Sequence, residues 1–393
     1  MLLLWIAGVS VVVTVLALLP PRRFTVPAAL TFFLTLPFVE FAPLVLLGDA
    51  VVLALLVPEA LFTLPLWEVL LACAAMIASS LVLLWHYLRG APVGAPFDER
   101  WRHFWPLVWS GYGVVQTRGV VFDPERKLRL DVFAPVDTAK KCAAIIYVHG
   151  GGWIVGYRSF QGRPFMVRMA QKGFVCFAPD YRLSPRATFP DHIVDVKRAI
   201  AWVREHAEEY NVDPEQILIA GNSAGGHLAA LAALTPGFAK FQPGFEGART
   251  DVLACLCFYG IYDLTAGRWP HGGLELLWRF LVIKQKRESA PELWRLASPS
   301  AHVGEHGTVP PFWLVHGTHD TLVPILEARA FSQRLQEVTK VELLEITGAQ
   351  HAFELGISPR SRRALQAAEK FALGVVTAYE AVMEGRSRTR SRA

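Results

Sequence analysis

The sequence predicts an α/β protein: a mostly parallel sheet with helices on both faces, preceded by an N-terminal transmembrane helical region. Three observations carry this. From about residue 119, apolar runs of strand length alternate with amphipathic stretches, the pattern of a parallel sheet wound by helices. The runs AAIIYVHG (143–150) and FVCFAPDYR (174–182) are apolar without alternation, as strands covered on both faces are. Residues 1–90 carry only Arg22, Arg23, Arg89, Glu40, Asp49, Glu59 and Glu68 as charged side chains, so the 53% hydrophobic and 19% charged content of the 393 residues divides into a membrane part and a globular part of ordinary composition.

The first apolar run, LLLWIAGVSVVVTVLALL (2–19), is uncharged and long enough to cross hydrocarbon as a helix. Arg22 and Arg23 follow it and no A-x-A site is evident, which favours a retained span over a cleaved signal. Residues 26–47 and 67–88 are the next expected spans; the stretch 50–66 is broken by Pro58, Glu59 and Pro65 and is a fourth span only in the alternative count. Three spans put Arg22, Arg23 and Arg89 on one side, which the positive-inside rule makes cytoplasmic, and the globular domain with them; four would turn the domain outward. The linker 91–118 contains Trp101, Phe104, Trp105, Val108 and Trp109 on one helical face, interrupted by Pro106. That helix either packs on the globular domain or lies in the bilayer interface.

The globular domain is expected over 119–383. LRLDVFAP (128–135) alternates with period two, and 190–210 is an amphipathic helix with Ile193, Val196, Ile200 and Val203 in its apolar stripe. QILIAGNS (216–223) is a strand running straight into a helix, 224–234. Strands are expected at 251–260, 310–320 and 340–347, and helices at 325–337 and 359–383; 261–309 shows no clear strand and is read as a lid. Arg386, Arg388, Arg390 and Arg392 make 384–393 a solvated basic tail, or one touching anionic lipid. The net charge of +5 comes with no nucleic-acid motif. Cys73, Cys142, Cys176, Cys255 and Cys257 lack metal-ligand spacing and read as buried thiols, which leans toward a reducing compartment.

Chemistry concentrates in three motifs. Gly221-Asn222-Ser223-Ala224-Gly225 fits G-x-S-x-G on a strand-to-helix turn. Such a turn strains the serine and lifts its hydroxyl clear of the sheet, and the helix start directs amides at developing negative charge. HGGGW (149–153) follows a strand; Gly151 and Gly152 can offer bare amides to an oxyanion, with Ala224 as a third donor. His149 is expected to fix that loop rather than act as base. The serine needs a base and the base a carboxylate, in chain order Ser, Asp, His. Asp320, in the turn after the strand ending HGTHD, and His351, in TGAQHAFE after the next strand, fill those roles at one sheet edge. His302, His306, His316, His319 and His227 fit less well by position.

These residues resemble the α/β-hydrolase superfamily. More narrowly they are similar to the hormone-sensitive-lipase-like carboxylesterases (α/β-hydrolase fold 3) and to acetyl- and feruloyl-esterase-like hydrolases, in a membrane-anchored bacterial form. The likeness covers about residues 120–383 and rests on HGGGW, PDYRLSP (179–185), FPDHIVDVKRAIAWV (189–203), GNSAGGHLA (221–229), HGTHDTLVP (316–324) and HAF (351–353). Two positions depart from the hormone-sensitive-lipase pattern: Asn222 stands where that branch has Asp, and Asp320 lies in H-G-T-x-D rather than D-P-x-x-D. The resemblance implies a serine carboxylesterase or lipase-like hydrolase without metal or organic cofactor, acting on a small-molecule or lipid-like ester, with membrane lipid as its surroundings. An amidase, peptidase or arylformamidase would use the same residues; a non-catalytic membrane protein on the same scaffold is the remaining alternative. Oligomeric state is not legible.

Overall fold

The computed structural model describes residues 1–20, 26–89, 112–137, 140–158, 160–265, 272–356 and 358–390. Eight strands form one sheet: β1 (Val114–Asp123), β2 (Leu128–Pro135), β3 (Cys142–Val148), β4 (Val175–Pro179), β5 (Val212–Asn222), β6 (Ala254–Phe258), β7 (Phe312–Gly317) and β8 (Val341–Ile346). Their spatial order is β1-β2-β4-β3-β5-β6-β7-β8. The β1–β2 and β2–β4 pairs are antiparallel and the rest parallel, so the chain has the α/β-hydrolase fold expected.

Period two explains why the central strands are apolar throughout. In β3, Ala144, Ile146 and Val148 join one core cluster while Ala143, Ile145 and Tyr147 join the other; β5 divides likewise, Ile217 and Ile219 against Leu218 and Ala220. The first face is covered by α6 (Asp191–Glu205), α7 (Ala224–Leu234) and α10 (Leu326–Leu335). The second is covered by α5 (Arg163–Ala170) and α11 (Pro359–Arg390). Register pairs Val148 with Gly221, Asn222 with Phe258 and Gly317 with Ile346. The loops after β3, β5, β7 and β8 therefore emerge at one edge.

Several boundaries differ from the sequence expectation. Strand β1 begins at Val114, inside the stretch read as linker; its side chains are mostly part- or fully exposed and its pairing is broken by bulges, which hides the alternation. Helix α11 continues to Arg390 rather than ending at 383. The aromatic helix read over Trp101–Trp109 lies outside the described residues, as do Arg22 and Arg23. Segment 261–309 has no strand among its described residues and contains α8 (Gly272–Leu277), a π-helical turn at Trp278–Val282 and α9 (Pro291–Leu296). Among the cysteines, four are buried and Cys73 is half-buried, and none forms a disulfide among the described residues.

The N-terminal region forms four helices: α1 (Leu2–Leu18), α2 (Val26–Glu40), α3 (Ala42–Thr63) and α4 (Leu66–Leu88). The run 26–47 is thus divided at Phe41, with Pro43 in the first turn of α3, and Pro58 is carried inside that helix. Helices α3 and α4 have 22 and 23 residues and are long and apolar enough to cross a membrane. At one end of the group Leu3 and Ala7 pack with Ala60, Val69, Ala72 and Met76; at the other Ala17 packs with Val39, Ala42, Leu83 and Tyr87. Helices α1, α3 and α4 consequently run side by side, and α2 joins them at the second end.

Candidate active site

Residues Ala220 to Leu228 build the turn that presents Ser223. Gly221 and Gly225 are required there, because a Cβ on Gly221 would lie 2.4 Å from the Gly225 carbonyl oxygen and one on Gly225 would lie 2.0 Å from that of Val148. Ser223 takes φ 53° and ψ −120°, a conformation a non-glycine residue holds only when its surroundings impose it. The Ser223 N–H donates to Phe258 O at 2.9 Å, which ties the turn to β6. Ser223 keeps partial exposure between buried neighbours.

The structure brings Ser223, His351 and Asp320 together. Ser223 Oγ lies 2.8 Å from His351 Nε2, and His351 Nδ1 lies 2.7 Å from Asp320 Oδ2. An ionised carboxylate only accepts, so Nδ1 carries the proton and Nε2 is left as acceptor for the serine hydroxyl. Asp320 Oδ1 accepts the N–H groups of Leu322 and Val323 at 2.9 and 2.8 Å. Burial pushes the Asp320 carboxyl up, but the adjacent His351 and the hydrogen bonds from His316 and His351 outweigh it and hold the group well below the usual carboxylate range. The loops carrying the pair are laced together: Thr321 N–H and Oγ1–H donate to Gln350 Oε1, each at 3.2 Å, and Gly348 N–H donates to Thr318 Oγ1 at 2.9 Å.

Gly151 and Gly152 sit in the loop after β3 with φ 114° and 62°. A Cβ on Gly151 would fall 1.8 Å from Val155 O, so only glycine closes this turn. Ala224 is the first residue of α7, where an N–H has no intrahelical acceptor. His149 is buried beneath the loop. Its Nδ1–H donates to Gly150 O at 2.8 Å, its ring stacks on Tyr181, and burial lowers its pKa to about 4. The imidazole is neutral and structural, as expected. His227 points away and meets Ala297 O at 2.7 Å.

Five residues near the site escaped sequence reading as contributors. His316 Nε2–H reaches both Val323 O at 2.8 Å and Asp320 Oδ2 at 3.2 Å, which makes it a second donor to the carboxylate. Tyr259 lies 4.4 Å from the His351 ring, centroid to centroid. Tyr259 Oη–H donates to Glu354, and Asn222 Nδ2 donates to Tyr259 Oη and to Glu354 Oε1, both at 3.1 Å. Asn222 therefore supplies a donor where an aspartate would set a second carboxylate beside Glu354. Helical or strand period gives no sign of these contacts; only the position of Glu354 in HAFE, three residues after His351, hints at one. Phe32 of α2 lies edge-on to His351, centroids 6.0 Å apart.

Glu354 is fully buried, and its Oε2 has no partner among the described residues. Burial raises its pKa to about 7 against lowering hydrogen bonds from Tyr259 and Asn222. The unfolded chain ionises this carboxyl from about pH 4.3. Between about pH 4.5 and 7 the folded state therefore holds the extra proton, and stability falls as pH rises through that window, by on the order of 3 kcal/mol, then levels off. In Glu354→Gln the thermal midpoint followed from pH 5 to 8 should decline less than in the parent, by the part this group contributes; parallel declines would contradict the assignment.

Away from Ser223, His302, Glu305 and His306 hold ligand-type atoms within 4.8 Å of one another, the one such group among the described residues. His302 Nδ1 is 3.0 Å from His306 Nε2, and Arg295 already pairs with Glu305 at 2.5 Å. The group lies beside Phe238, past the far end of α7 from Ser223.

Comparison with known proteins adds the following. The BD-FAE family profile matches residues 130–335. A probable carboxylic ester hydrolase of Mycobacterium tuberculosis, LipM, is 42% identical over 63% of this chain and 58% of its own length. The chain spans about three fifths of the length of the curated relatives it matches first. Among solved structures, a thermophilic esterase of Thermogutta terrifontis with butyrate bound is 27% identical, with a TM-score of 0.56 over 68% of this chain and 95% of that one. The same organism's esterase 2 phosphonylated by sarin has a TM-score of 0.58 at 27% identity, over 68% of this chain and 96% of that one.

Proposed function

The chain belongs to the BD-FAE family, and on that premise we propose that it is a serine carboxylesterase acting through Ser223, His351 and Asp320. One observation carries the reading: a strained, part-exposed serine hydroxyl 2.8 Å from an imidazole whose other nitrogen meets a buried carboxylate at 2.7 Å. Ser223 Oγ attacks the ester carbonyl carbon as His351 Nε2 takes its proton, and the carbonyl electron pair moves onto oxygen. The N–H groups of Gly151, Gly152 and Ala224 receive that oxyanion, an arrangement typically worth about 3–4 kcal/mol per donor. Collapse breaks the carbon–alcohol bond, and His351 returns the proton to the leaving alcohol. Water then gives a proton to His351 and attacks the acyl carbon, releasing the acid and restoring Ser223. Asp320 keeps the Nδ1–H tautomer and stabilises the imidazolium.

The ester relatives, LipM and the Thermogutta esterase, support this reaction class, and butyrate in the latter supports a site that takes short acyl groups. HGGGW and GNSAGGHLA support a kinship with hormone-sensitive-lipase-like enzymes, while Asn222 and the H-G-T-H-D setting of Asp320 support one with feruloyl-esterase-like hydrolases. The described residues of 261–309 serve as a lid: Leu277 of α8 reaches within 3.9 Å of the space a Cβ on Gly152 would fill. Anchoring follows from α1, α3 and α4 as three crossings, with α2 at the interface. α1 is 17 residues long, about 26 Å. This count puts Arg89 on the side of the hydrolase, which is cytoplasmic by the positive-inside rule.

Matched butyryl esters and amides test the reaction class. The full-length protein in detergent should cleave ethyl butyrate at least about a hundredfold faster than N-ethylbutyramide, because the amine is much the poorer leaving group. Comparable rates would assign an amidase instead.

A further inference from the structure

We infer that the N-terminal helices complete the substrate site, and that the substrate is a membrane-held ester whose long chain lies on the alcohol side of the scissile bond. This rests on the esterase reading above. The leaving alcohol oxygen must come within hydrogen-bonding reach of His351 Nε2 to be protonated, so the alcohol portion passes the face of the site where His351 stands. That face is roofed by α2. Phe32, 8% exposed, meets the His351 ring edge-on with centroids 6.0 Å apart. The same helix face buries Thr31, Thr35, Val39 and Glu40, while Phe33 and Leu34 on the other face are 69% and 46% exposed.

Specific polar contacts hold the roof in place. Buried Arg360 donates to Glu40 Oε1 at 3.4 Å, to His86 O at 2.6 Å and to Thr347 O at 3.3 Å, spanning α2, α4 and the loop that carries His351. His86 Nε2–H meets Gly348 O at 3.2 Å, and His319, next to Asp320, meets Ala17 O of α1 at 3.3 Å. The helices thus dock on the two catalytic loops themselves rather than tethering the domain from a distance. Val155, which lies against Gly151 of the glycine loop, is exposed, as are Tyr157 and Phe160 a few residues on and Leu276 and Phe280 on either side of Leu277, which lies near Gly152. Large exposed apolar side chains mark a lipid or partner surface, and two helices in the same chain long and apolar enough to cross a membrane select lipid. A hydrocarbon chain leaving the bilayer here passes from one apolar surface to another, whereas in water it would lose free energy in proportion to its area.

The test holds the acyl group constant. Full-length protein in phosphatidylcholine vesicles is given hexadecyl butyrate or ethyl butyrate, and released butyrate is measured. The ratio of kcat/KM for hexadecyl over ethyl butyrate should fall about tenfold in Phe32→Ala and about threefold in Phe32→Leu, the range typical of altered apolar contacts. Phe32→Leu keeps the helix face apolar and carries the test alone if Phe32→Ala does not fold. An unchanged ratio in a folded variant that still takes up a fluorophosphonate overturns the inference and leaves the esterase reading standing. A parent that cleaves neither ester and takes up no fluorophosphonate overturns both. A Phe32 effect confined to acyl length, seen with ethyl palmitate against ethyl butyrate, overturns the alcohol-side assignment.

Discussion

Ser223→Ala should lower kcat for ester hydrolysis by about a millionfold, the size seen when a serine nucleophile is removed from a working triad. The substitution removes one oxygen from a part-exposed position and keeps a Cβ, so the turn between β5 and α7 loses no packing. Strain at φ 53° remains, and the thermal midpoint should stay near that of the parent. The amides of Gly151, Gly152 and Ala224 are untouched, so a residual rate above that in water is expected from the loop alone. Hydrolysis of ethyl butyrate by purified full-length protein measures it. A variant retaining a tenth of the parent rate would remove Ser223 from the chemistry.

Asp320→Asn should lower kcat by about ten-thousandfold with KM little changed. Oδ1 of Asp320 accepts two backbone N–H groups while Oδ2 accepts from His351 and His316. All four neighbours are donors. An asparagine has one acceptor end and one donor end, so its amide must confront either the backbone pair or the imidazoles. With the backbone pair fixed, the NH2 faces His351 Nδ1, which must then give up its proton and carry it on Nε2. In that tautomer Nε2 no longer accepts from Ser223. The loss should ease as pH rises and hydroxide competes for the serine proton, a pH profile that a purely structural disturbance would not produce. A drop below tenfold would show that Asp320 is not what holds the tautomer.

The central strands were legible because they are buried on both faces, and the catalytic candidates because they follow strands that end at one edge. Ser223 was further marked by glycines whose Cβ atoms the sheet cannot accommodate. What stayed hidden has a common cause, contact between residues distant in sequence. His316 looked like a strand residue, and nothing local says its ring nitrogen reaches Asp320. Glu354 and Tyr259 are 95 positions apart and meet only across the folded sheet edge. The break at Phe41 lies inside a continuous apolar run, so hydropathy reads through it, while Pro58 suggested a break that α3 does not make. Strand β1 carries Gly119 and bulged pairing, which erases the alternation that would have announced it. The docking of α2 on His351 belongs to the same class: Phe32 is one apolar residue among many until the catalytic loop is placed against it.

The most direct measurement is peptide mass spectrometry of the full-length protein after reaction with a fluorophosphonate. A single adduct on Ser223, absent from Ser223→Ala and slow to form in Asp320→Asn, is the predicted result. An adduct on a different residue, or undiminished ester hydrolysis after complete labelling of Ser223, would contradict it.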